Sequence, residues 1–400
     1  MEKLKVQYGS LGKGDQMKKT DISIMEELLA EIDNDNLVVY LGNGVQLEDS
    51  VEKRVILFTH KVERAGAPCV LVDMARVYID MGYQVFIISH EDGEYSNDII
   101  NAGINYIYYE RYPEDLEWLK KIGEVFPTIV INTLLLIYIA EFLVPFSKQI
   151  LWWIHEAEMV IENWADVLMK MPKTPVLKIL AASPLIQKNL KDYAGLDSEL
   201  LNFYVEDAPC QKVSQKKDVI NIFNVGNING NKGQDVLAKA YDLLDDETKA
   251  KSNLFFLTCN DYVKKELALS ILDYVDTHEN VHIMEGMPKE ELYEVYEEMD
   301  IIVVASYYES TSAVAVEGMM KERLCICTET CGVCKYLEDG KSALMFKRGD
   351  AVGLSKVLHK AINHYDEFES MRKNGRAIYE QVYTKEIFKQ KLQELMENKL

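Results

Sequence analysis

The chain has 400 residues, of which 48% are hydrophobic and 27% are charged, a composition typical of a globular protein. This length predicts two domains, because a single hydrophobic core rarely grows beyond about 250–300 residues. With 44 basic against 65 acidic residues the net charge is −21, which argues against nucleic acid or an anionic membrane as the main partner.

The N-terminal residues are polar, and no apolar stretch typical of a signal peptide follows them. The most apolar segment spans residues 128–146. Asn132, Glu141 and Pro145 interrupt it, so we interpret it as a buried strand followed by a buried helix, with peripheral membrane contact as the alternative. The seven cysteines, an odd number, are expected to be reduced thiols in a cytoplasmic protein.

Residues 1–53 follow no regular pattern of strands and helices. Within them a helix at 22–32 and a strand at 36–41 are expected. The acidic stretch 33–35 resembles an Asp-x-Asp metal-binding motif. No strand precedes it, so we interpret it as a solvated turn.

From residue 54 onward, short β-branched runs alternate with helical patterns, which is typical of βαβ units and parallel sheets. In the first half, a helix is predicted at 69–82 and ends at Gly82. The predicted strands of this half are 54–60, 83–89, 104–109, 128–132, 150–155 and 177–183. A polar stretch near 205–217 has no periodicity and is interpreted as a linker.

The alternating pattern then starts again. The predicted strands are 219–226, 253–259, 281–286 and 300–306, and the predicted helices are 232–244, 261–275, one starting at Pro288, and one around 313–320. Residues 384–400 predict an amphipathic helix with Ile387, Leu392 and Leu395 on its apolar stripe. Two doubly wound α/β domains are therefore expected, with a ligand cleft between the carboxyl ends of the two sheets.

The segment NVGNINGNKGQD (224–235) joins a predicted strand to a predicted helix. A glycine-bearing turn at such a place lets backbone N–H groups approach a diphosphate, and a cation beside it balances the charge. Gly226 and Lys232 are therefore candidate ligands of a diphosphate. An ordinary turn with a surface lysine is the alternative for this segment taken alone.

A second candidate segment, ASYYESTSAVAVEGMM (305–320), directly follows an apolar strand. Its Glu309 and Glu317 are eight residues apart. This spacing alone is weak evidence for a functional pair of glutamates, but the pair also spans a loop and a helix start, which strengthens the interpretation. Glu309 in the loop and Glu317 in the helix can accept hydrogen bonds from the hydroxyls of one ligand. The N–H groups that open the helix and can bind a phosphate belong to Ser310, Thr311, Ser312 and Ala313.

These segments resemble family 4 of the retaining, nucleotide-sugar-dependent glycosyltransferases, and the resemblance covers roughly residues 54–400. HKVERAGAPCVL (60–71) is similar to the family's loop after the first strand, where Gly66 would let the backbone approach donor and acceptor. WWIHEAE (152–158) is similar to the segment that places a histidine, here His155, near the transferred sugar. Asn227 stands where the family usually has arginine, so one of two expected cations is missing.

The resemblance implies the GT-B fold, in which two Rossmann-like doubly wound domains face a central cleft. It implies an acceptor-side domain at 54–212, a donor domain at 213–383 and a helix at 384–400 that packs back on the N-terminal domain. Residues 1–53 are expected to be an N-terminal extension outside these domains. The implied catalytic residues are His155, Lys232 and Glu309. The implied donor-binding residues are Gly66, Gly226, Asn227, Lys232, Glu309, Ser310, Thr311, Ser312, Ala313 and Glu317.

The implied activity is transfer of a hexose from a nucleotide diphosphate sugar to a hydroxyl acceptor, with retention at the anomeric carbon, in glycan or glycoconjugate biosynthesis. Neither a cofactor nor a metal ion is expected beside this donor, and stable membrane insertion is not expected either. The alternative is a non-catalytic GT-B subunit that binds a partner glycosyltransferase or a glycan. Asn227 in place of the usual arginine, and the additional residues 1–53, are both compatible with this alternative. A GT-B epimerase fits less well, because its Gly-Thr-Arg-Pro-Glu strand end is not found.

Four cysteines lie within CICTETCGVC (325–334), a spacing compatible with zinc or an iron–sulfur cluster. Cys325 and Cys327 are expected on one side of a core strand, and Cys331 and Cys334 in the loop and helix start that follow. Cysteine often acts as a small buried hydrophobic residue in such places. We therefore expect packing here, with a metal site as the alternative.

Overall fold

The computed structural model describes residues 6–8, 37–42, 53–63, 66–208, 218–258 and 265–397. The chain divides into two compact units. The first unit comprises Met1–Ala182, Ile186–Leu201 and Leu392–Leu400, and the second comprises Ser183–Leu185 and Asn202–Lys391. Each unit holds one sheet flanked by helices, which confirms the predicted pair of Rossmann-like α/β domains.

The strands of the first unit are β1 (Val6–Tyr8), β2 (Leu37–Leu41), β3 (Arg54–Lys61), β4 (Gln84–Glu91), β5 (Asn105–Tyr109), β6 (Thr128–Ile131), β7 (Ile150–Ile154), β8 (Leu177–Ala181) and β9 (Glu199–Leu200). Among the described residues they form one nine-stranded sheet in the order β1-β2-β5-β4-β3-β6-β7-β8-β9. Neighbouring strands are parallel except β2 and β5, which are antiparallel. The central strands are buried on both faces because helices cover both sides.

The helices between these strands are Gly66–Asp80, Ser96–Asn101, Leu116–Val125, Ile137–Leu143, Glu158–Asn163, Ala165–Leu168 and Pro184–Ala194, with short 3-10 helices at Leu134–Leu136 and Val144–Phe146. The strands predicted from residue 54 onward are confirmed. The predicted strand at 36–41 is also confirmed, and it extends the first sheet beside β5. The helix expected at 22–32 and the acidic turn at 33–35 lie outside the described residues.

The apolar segment 128–146 forms a strand, a 3-10 turn and a helix. The prediction that its helical part is buried is only partly right, since the side chains of Leu135 and Tyr138 are 49% and 60% exposed. Within the described parts of the chain, no helix has both the length and the apolarity that crossing a bilayer requires.

The strands of the second unit are β10 (Ile220–Val225), β11 (Ser252–Thr258), β12 (Val281–Glu285), β13 (Ile301–Val304), β14 (Leu324–Thr328) and β15 (Leu344–Phe346). They form a parallel sheet in the order β12-β11-β10-β13-β14-β15. The helices of this half are Gln234–Asp242, Asp246–Lys249, Lys265–Thr277, Lys289–Glu298, Ala313–Met320, Ala351–Asn363, Glu369–Val382 and Lys385–Glu397, with 3-10 helices at Gly332–Lys335 and Tyr365–Phe368.

The last helix, Lys385–Glu397, corrects one sequence prediction. Leu392 and Leu395 are buried as expected, but Ile387 is 39% exposed and Phe388 is buried in its place. Phe388, Leu392 and Leu395 are spaced by four and three residues, which aligns them on one helical face, whereas Ile387 is rotated away from it. The carbonyl oxygen of Leu395 accepts hydrogen bonds from Lys178 Nζ at 2.7 Å and Gln149 Nε2 at 3.4 Å.

A buried ion cluster joins two helical segments of the second unit. Glu297 accepts hydrogen bonds from Lys321 Nζ at 2.5 Å and from Arg323 Nη2 at 2.8 Å. The side chains of the two cations are 4% and 2% exposed. Burying such charges is costly unless they are paired, so the Glu297 carboxylate stabilises the two cations in their buried positions.

We expect Glu297→Ala to lower the free energy of unfolding by about 3–5 kcal/mol, because both buried cations lose this carboxylate. Glu298→Ala, at an exposed neighbouring position, is the control and should change it by less than about 0.5 kcal/mol. All four tryptophans (Trp118, Trp152, Trp153 and Trp164) lie in the first unit. Tryptophan fluorescence would therefore report on the first unit, so the measurement here is hydrogen exchange of the β13 and β14 backbone amides. Equal protection of these amides in both variants would contradict the prediction.

Candidate active site

Two chain segments of the second unit meet because their strands are neighbours. β10 and β13 pair in parallel, with Ile222 opposite Ile301, and Asn224 Nδ2 donates to the Val303 carbonyl at 2.9 Å. The turn that follows β10 and the loop that follows β13 therefore leave the same edge of the sheet. This edge is where ligands bind in open parallel sheets.

Lys232 and Glu309 form an ion pair at this edge. Lys232 Nζ lies 2.7 Å from Glu309 Oε2, and Ser306 Oγ donates to the same oxygen at 3.0 Å. The side chains are 28% and 16% exposed, so both charges are partly shielded yet open to a ligand. The structure thus brings together two residues that are 77 positions apart and that the sequence predicts for one site.

Two glycines shape the turn after β10. Gly226 has a φ of +148°, and a Cβ there would come within 3.0 Å of Lys232 Cγ, because the lysine side chain crosses this position. Gly233 has a φ of +68°, and a Cβ there would lie 2.0 Å from the Ala305 carbonyl oxygen. Only glycine fits either place without strain. Gly226 leaves room for the Lys232 side chain, and Gly233 lets the turn lie close to the loop after β13.

Asn231 fastens the turn to that loop. Its Nδ2 donates to the Tyr308 carbonyl at 2.8 Å, and its Oδ1 accepts from the Tyr308 N–H at 3.1 Å. Gln234 Nε2 closes the turn from inside by donating to the Gly226 carbonyl at 3.0 Å. Asn227 is exposed in the same turn.

The helix Ala313–Met320 begins beside Glu309. Its N-cap, Ser312, has a φ of +94° and accepts the Ala315 N–H on its Oγ at 3.3 Å. A positive φ is rare for serine and is maintained only where surrounding contacts determine the backbone. Thr311 and Ser312 are buried, and the segment 310–313 lies at the start of the helix.

Glu317 lies one turn into this helix and is 8% exposed. The hydroxyl of Tyr296 donates to Glu317 Oε2 at 2.9 Å. Gly318 lets the helix pack closely, since a Cβ there would lie 2.9 Å from Ile302 Cγ1 and 3.0 Å from Cys325 Sγ. The carboxylate is therefore held on a helix that is tightly fixed to β13 and β14.

The cysteine segment (325–334) contacts the loop that carries Glu309 and forms hydrogen bonds with its backbone. The Gly332 N–H donates to the Glu309 carbonyl at 2.9 Å, and a Cβ on Gly332 would lie 1.7 Å from the Ser310 carbonyl oxygen. Cys331 Sγ donates to the Thr311 carbonyl at 2.9 Å. The Val333 N–H donates to the same oxygen at 3.2 Å.

The four thiols pack as expected for a core strand and its following loop. Cys325, Cys327 and Cys331 are buried, and Cys334 Sγ lies 3.3 Å from the Thr328 carbonyl. A hydrogen bond from the Cys327 thiol holds the pKa of Cys334 below its usual range. In the described portion of the chain, no group of three or more Cys, His, Asp or Glu residues is arranged to hold a metal ion.

In the first unit, polar side chains gather at the carboxyl ends of β6 and β7. Asn132 Nδ2 donates to the Ala67 carbonyl at 2.7 Å, directly after Gly66, which opens its helix and is exposed. This bond orients the amide, so that Asn132 Oδ1 faces His155 Nε2 at 2.9 Å. His155 Nε2 therefore carries the proton and Nδ1 is left as an acceptor.

Burial lowers the pKa of His155 to about 3, so the imidazole is neutral at physiological pH. The ring packs against Trp153, with centroids 4.3 Å apart. Beside it, Glu156 accepts from the Thr133 hydroxyl at 2.5 Å and the Leu134 N–H at 2.8 Å. Burial raises the pKa of Glu156, and these hydrogen bonds oppose that rise.

Each predicted site residue thus has a place in one of the two units. Lys232, Glu309 and the segment 310–313 come together in the second unit, and Gly66 and His155 come together through Asn132 in the first. The supporting residues were not predicted from the sequence. These are Asn132, Glu156, Asn231, Gly233, Tyr296 and Gly332. Asn132 could have been noticed as a lone amide within an apolar run, and Gly233 and Gly332 lie in the candidate segments 224–235 and 325–334. Their roles could not be predicted, because the partners of these residues are distant in sequence.

Comparison with known proteins identifies the class to which this arrangement belongs. The model described as "Glycosyl transferases group 1" matches residues 208–378, and the model described as "Glycosyl-transferase family 4" matches residues 51–183. No curated protein matches the sequence. The protein is therefore a glycosyltransferase, and it belongs to family 4, whose members have the GT-B fold.

Solved structures agree with this fold at low sequence identity. The chain is similar to HepE from Anabaena in complex with UDP-glucose, with a TM-score of 0.71 and 12% identity over 86% of this chain and 99% of that one. It is similar to sucrose-phosphate synthase from Thermosynechococcus elongatus, with a TM-score of 0.71 and 16% identity over 86% and 98%. A glycosyltransferase from Rickettsia africae gives a TM-score of 0.69 and 15% identity over 86% and 99%.

We expect His155 to remain neutral down to about pH 4, because burial disfavours its charged form. The unfolded state takes up this proton below about pH 6.5. The contribution of His155 to stability is therefore lost as pH falls from 6.5 towards 3. Asn132→Asp should raise the pKa of His155 by about 1–3 units by placing a carboxylate beside Nε2. Histidine NMR titration measures both, and a wild-type His155 that titrates near pH 6.5 would contradict the assignment.

Proposed function

We propose that the protein transfers a hexose from a nucleotide diphosphate sugar to a hydroxyl acceptor, with retention at the anomeric carbon. The observation that carries this proposal is the Lys232–Glu309 pair between a glycine turn and a helix start. This edge of the sheet carries a cation, backbone N–H groups and a carboxylate. The cation and the N–H groups suit a diphosphate, and the carboxylate suits the hydroxyls of the sugar attached to it. The UDP-glucose bound by the similar Anabaena protein supports this class of donor.

The roles we propose follow the order of groups along the donor. Lys232 and the N–H groups of residues 310–313 bind the diphosphate, and Gly226 lets the backbone approach it. Glu309 accepts hydrogen bonds from hydroxyls of the transferred sugar, and Glu317 accepts them from the ribose. Asn227 can add a neutral hydrogen bond where the family usually has arginine.

The transfer we propose occurs on one face of the sugar. The bond from the anomeric carbon to the leaving phosphate oxygen breaks, and a bond from that carbon to the acceptor oxygen forms. The proton of the acceptor hydroxyl passes to the leaving phosphate. The protein contributes by positioning both substrates and by stabilising the charge that grows on the diphosphate.

The proposal extends to the first unit and to the setting of the reaction. Neutral His155, with Nδ1 as an acceptor, suits a hydrogen bond from a sugar hydroxyl. A role in glycan or glycoconjugate biosynthesis in the cytoplasm, and the absence of a required cofactor, stay predictions.

We expect Lys232→Ala to lower turnover by on the order of 10²–10³, because the developing diphosphate charge loses a pre-placed donor. Lys239→Ala is the matched control, since Lys239 is a 70% exposed lysine that pairs with Asp235 within the helix Gln234–Asp242. Its turnover should equal that of the wild type. Release of the nucleoside diphosphate, measured with a donor found by screening nucleotide sugars, gives both rates.

Wild-type turnover in Lys232→Ala would mean that the diphosphate binds elsewhere. A wild type that binds a nucleotide sugar but neither transfers nor hydrolyses it would instead favour the non-catalytic subunit. These two results are distinct, because the first leaves the activity intact and the second removes it.

We also expect activity to survive EDTA, because Lys232 and the helix start are proposed to balance the diphosphate charge. Elemental analysis of protein purified without chelator should find zinc and iron well below one equivalent. One equivalent of either metal, lost together with activity on EDTA treatment, would overturn both the packing interpretation of the cysteines and the proposed metal independence.

A further inference from the structure

Tyr296 lies outside the two segments that carry the proposed donor site, in the helix Lys289–Glu298. Its side chain is fully buried and packs edge-to-face on Phe223 of β10, with ring centroids 5.4 Å apart. Its hydroxyl donates to Glu317 Oε2 at 2.9 Å. Burial, and then the charge of Glu317, raises the pKa of Tyr296 well above its ordinary value, so the hydroxyl keeps the proton that it donates.

The helix that carries Tyr296 is itself fixed to the helix that carries Glu317. The next residue, Glu297, binds Lys321, which lies one turn after Glu317. Consecutive residues of one segment thus contact two positions, four residues apart, on the other. The phenol oxygen is therefore held at a defined point relative to the carboxylate.

We propose that Tyr296 is a positioning residue, whose hydroxyl holds the Glu317 carboxylate in the orientation that accepts hydrogen bonds from the ribose hydroxyls of the donor. This inference rests on the proposed function, in which Glu317 binds that ribose. A carboxylate can accept about four hydrogen bonds, so the one from Tyr296 is compatible with two more from a ribose. A glutamate held in one rotamer also loses less conformational entropy when the nucleotide binds.

The test compares ribose with deoxyribose. Calorimetry with UDP, ADP and GDP selects the nucleoside diphosphate that the wild type binds most tightly, and the measurement is repeated with its 2′-deoxy form. We expect Tyr296→Phe to weaken binding of the ribonucleotide by on the order of tenfold, because a hydrogen bond to a charged group is lost. The 2′-deoxy form should be weakened less, so that the preference for ribose falls.

Two further variants separate positioning from packing. Tyr241→Phe is the matched control, because it also removes a buried hydroxyl, one that donates to the Ser252 carbonyl at 3.1 Å, and it should leave the affinity unchanged. In a Glu317→Ala background, Tyr296→Phe should have no additional effect, since a residue that acts through Glu317 has nothing left to position. An equal loss in both backgrounds would overturn the inference.

Tyr296→Phe removes a single oxygen atom, and a melting temperature for each variant reports on folding. Should it fail to fold, Glu317→Asp tests the same idea, since it keeps the charge but withdraws the carboxylate from Tyr296 by one methylene. Positioning predicts that the ribose preference falls in this variant, and an unchanged preference overturns it.

The inference can fail separately from the proposed function. If the wild type binds none of the three nucleoside diphosphates, both are overturned. If the wild type binds one of them, and Tyr296→Phe binds it with the same affinity and the same preference for ribose, only the role of Tyr296 is overturned. Equal weakening of ribose and deoxyribose forms would likewise reduce Tyr296 to a packing residue.

Discussion

The parallel pairing of β10 with β13 brings together the residues of the proposed donor site. In a parallel sheet, the chain leaves every strand at the same edge, so two neighbouring strands deliver their following loops to one place. Lys232 and Glu309 reach each other only through this pairing, because 77 residues separate them in the chain. Their ion pair places opposite charges at the edge where we propose that the diphosphate and the sugar bind.

The loops at this edge are held by close backbone contacts more than by large side chains. Gly233 touches the Ala305 carbonyl, Gly332 touches the Ser310 carbonyl, and Gly318 lets its helix approach β13 and β14. A catalytic group contributes most when its neighbours already fix its position before the substrate arrives. The cysteine segment belongs to this support, since its backbone and one of its thiols bind the Glu309 loop from below.

The first unit uses a chain of side-chain hydrogen bonds for the same purpose. The Ala67 carbonyl orients Asn132, Asn132 orients His155, and Glu156 ties the ends of β6 and β7 together. An unpaired polar group is costly in a low-dielectric surrounding, so these hydrogen-bonded side chains have one favourable arrangement. The neutral imidazole of His155 follows from this burial and requires no charged neighbour.

The alternation of strands and helices, the two α/β domains and the segments that carry Lys232, Glu309, Glu317 and His155 could all be predicted from the sequence. These features are local, because periodicity and turn residues act over a few positions. The partners that hold those residues, such as Tyr296 for Glu317, are distant in sequence and became visible in the fold alone. The tertiary structure also placed Phe388 in the core where the sequence pattern favoured Ile387, since the rotation of a helix depends on what it packs against.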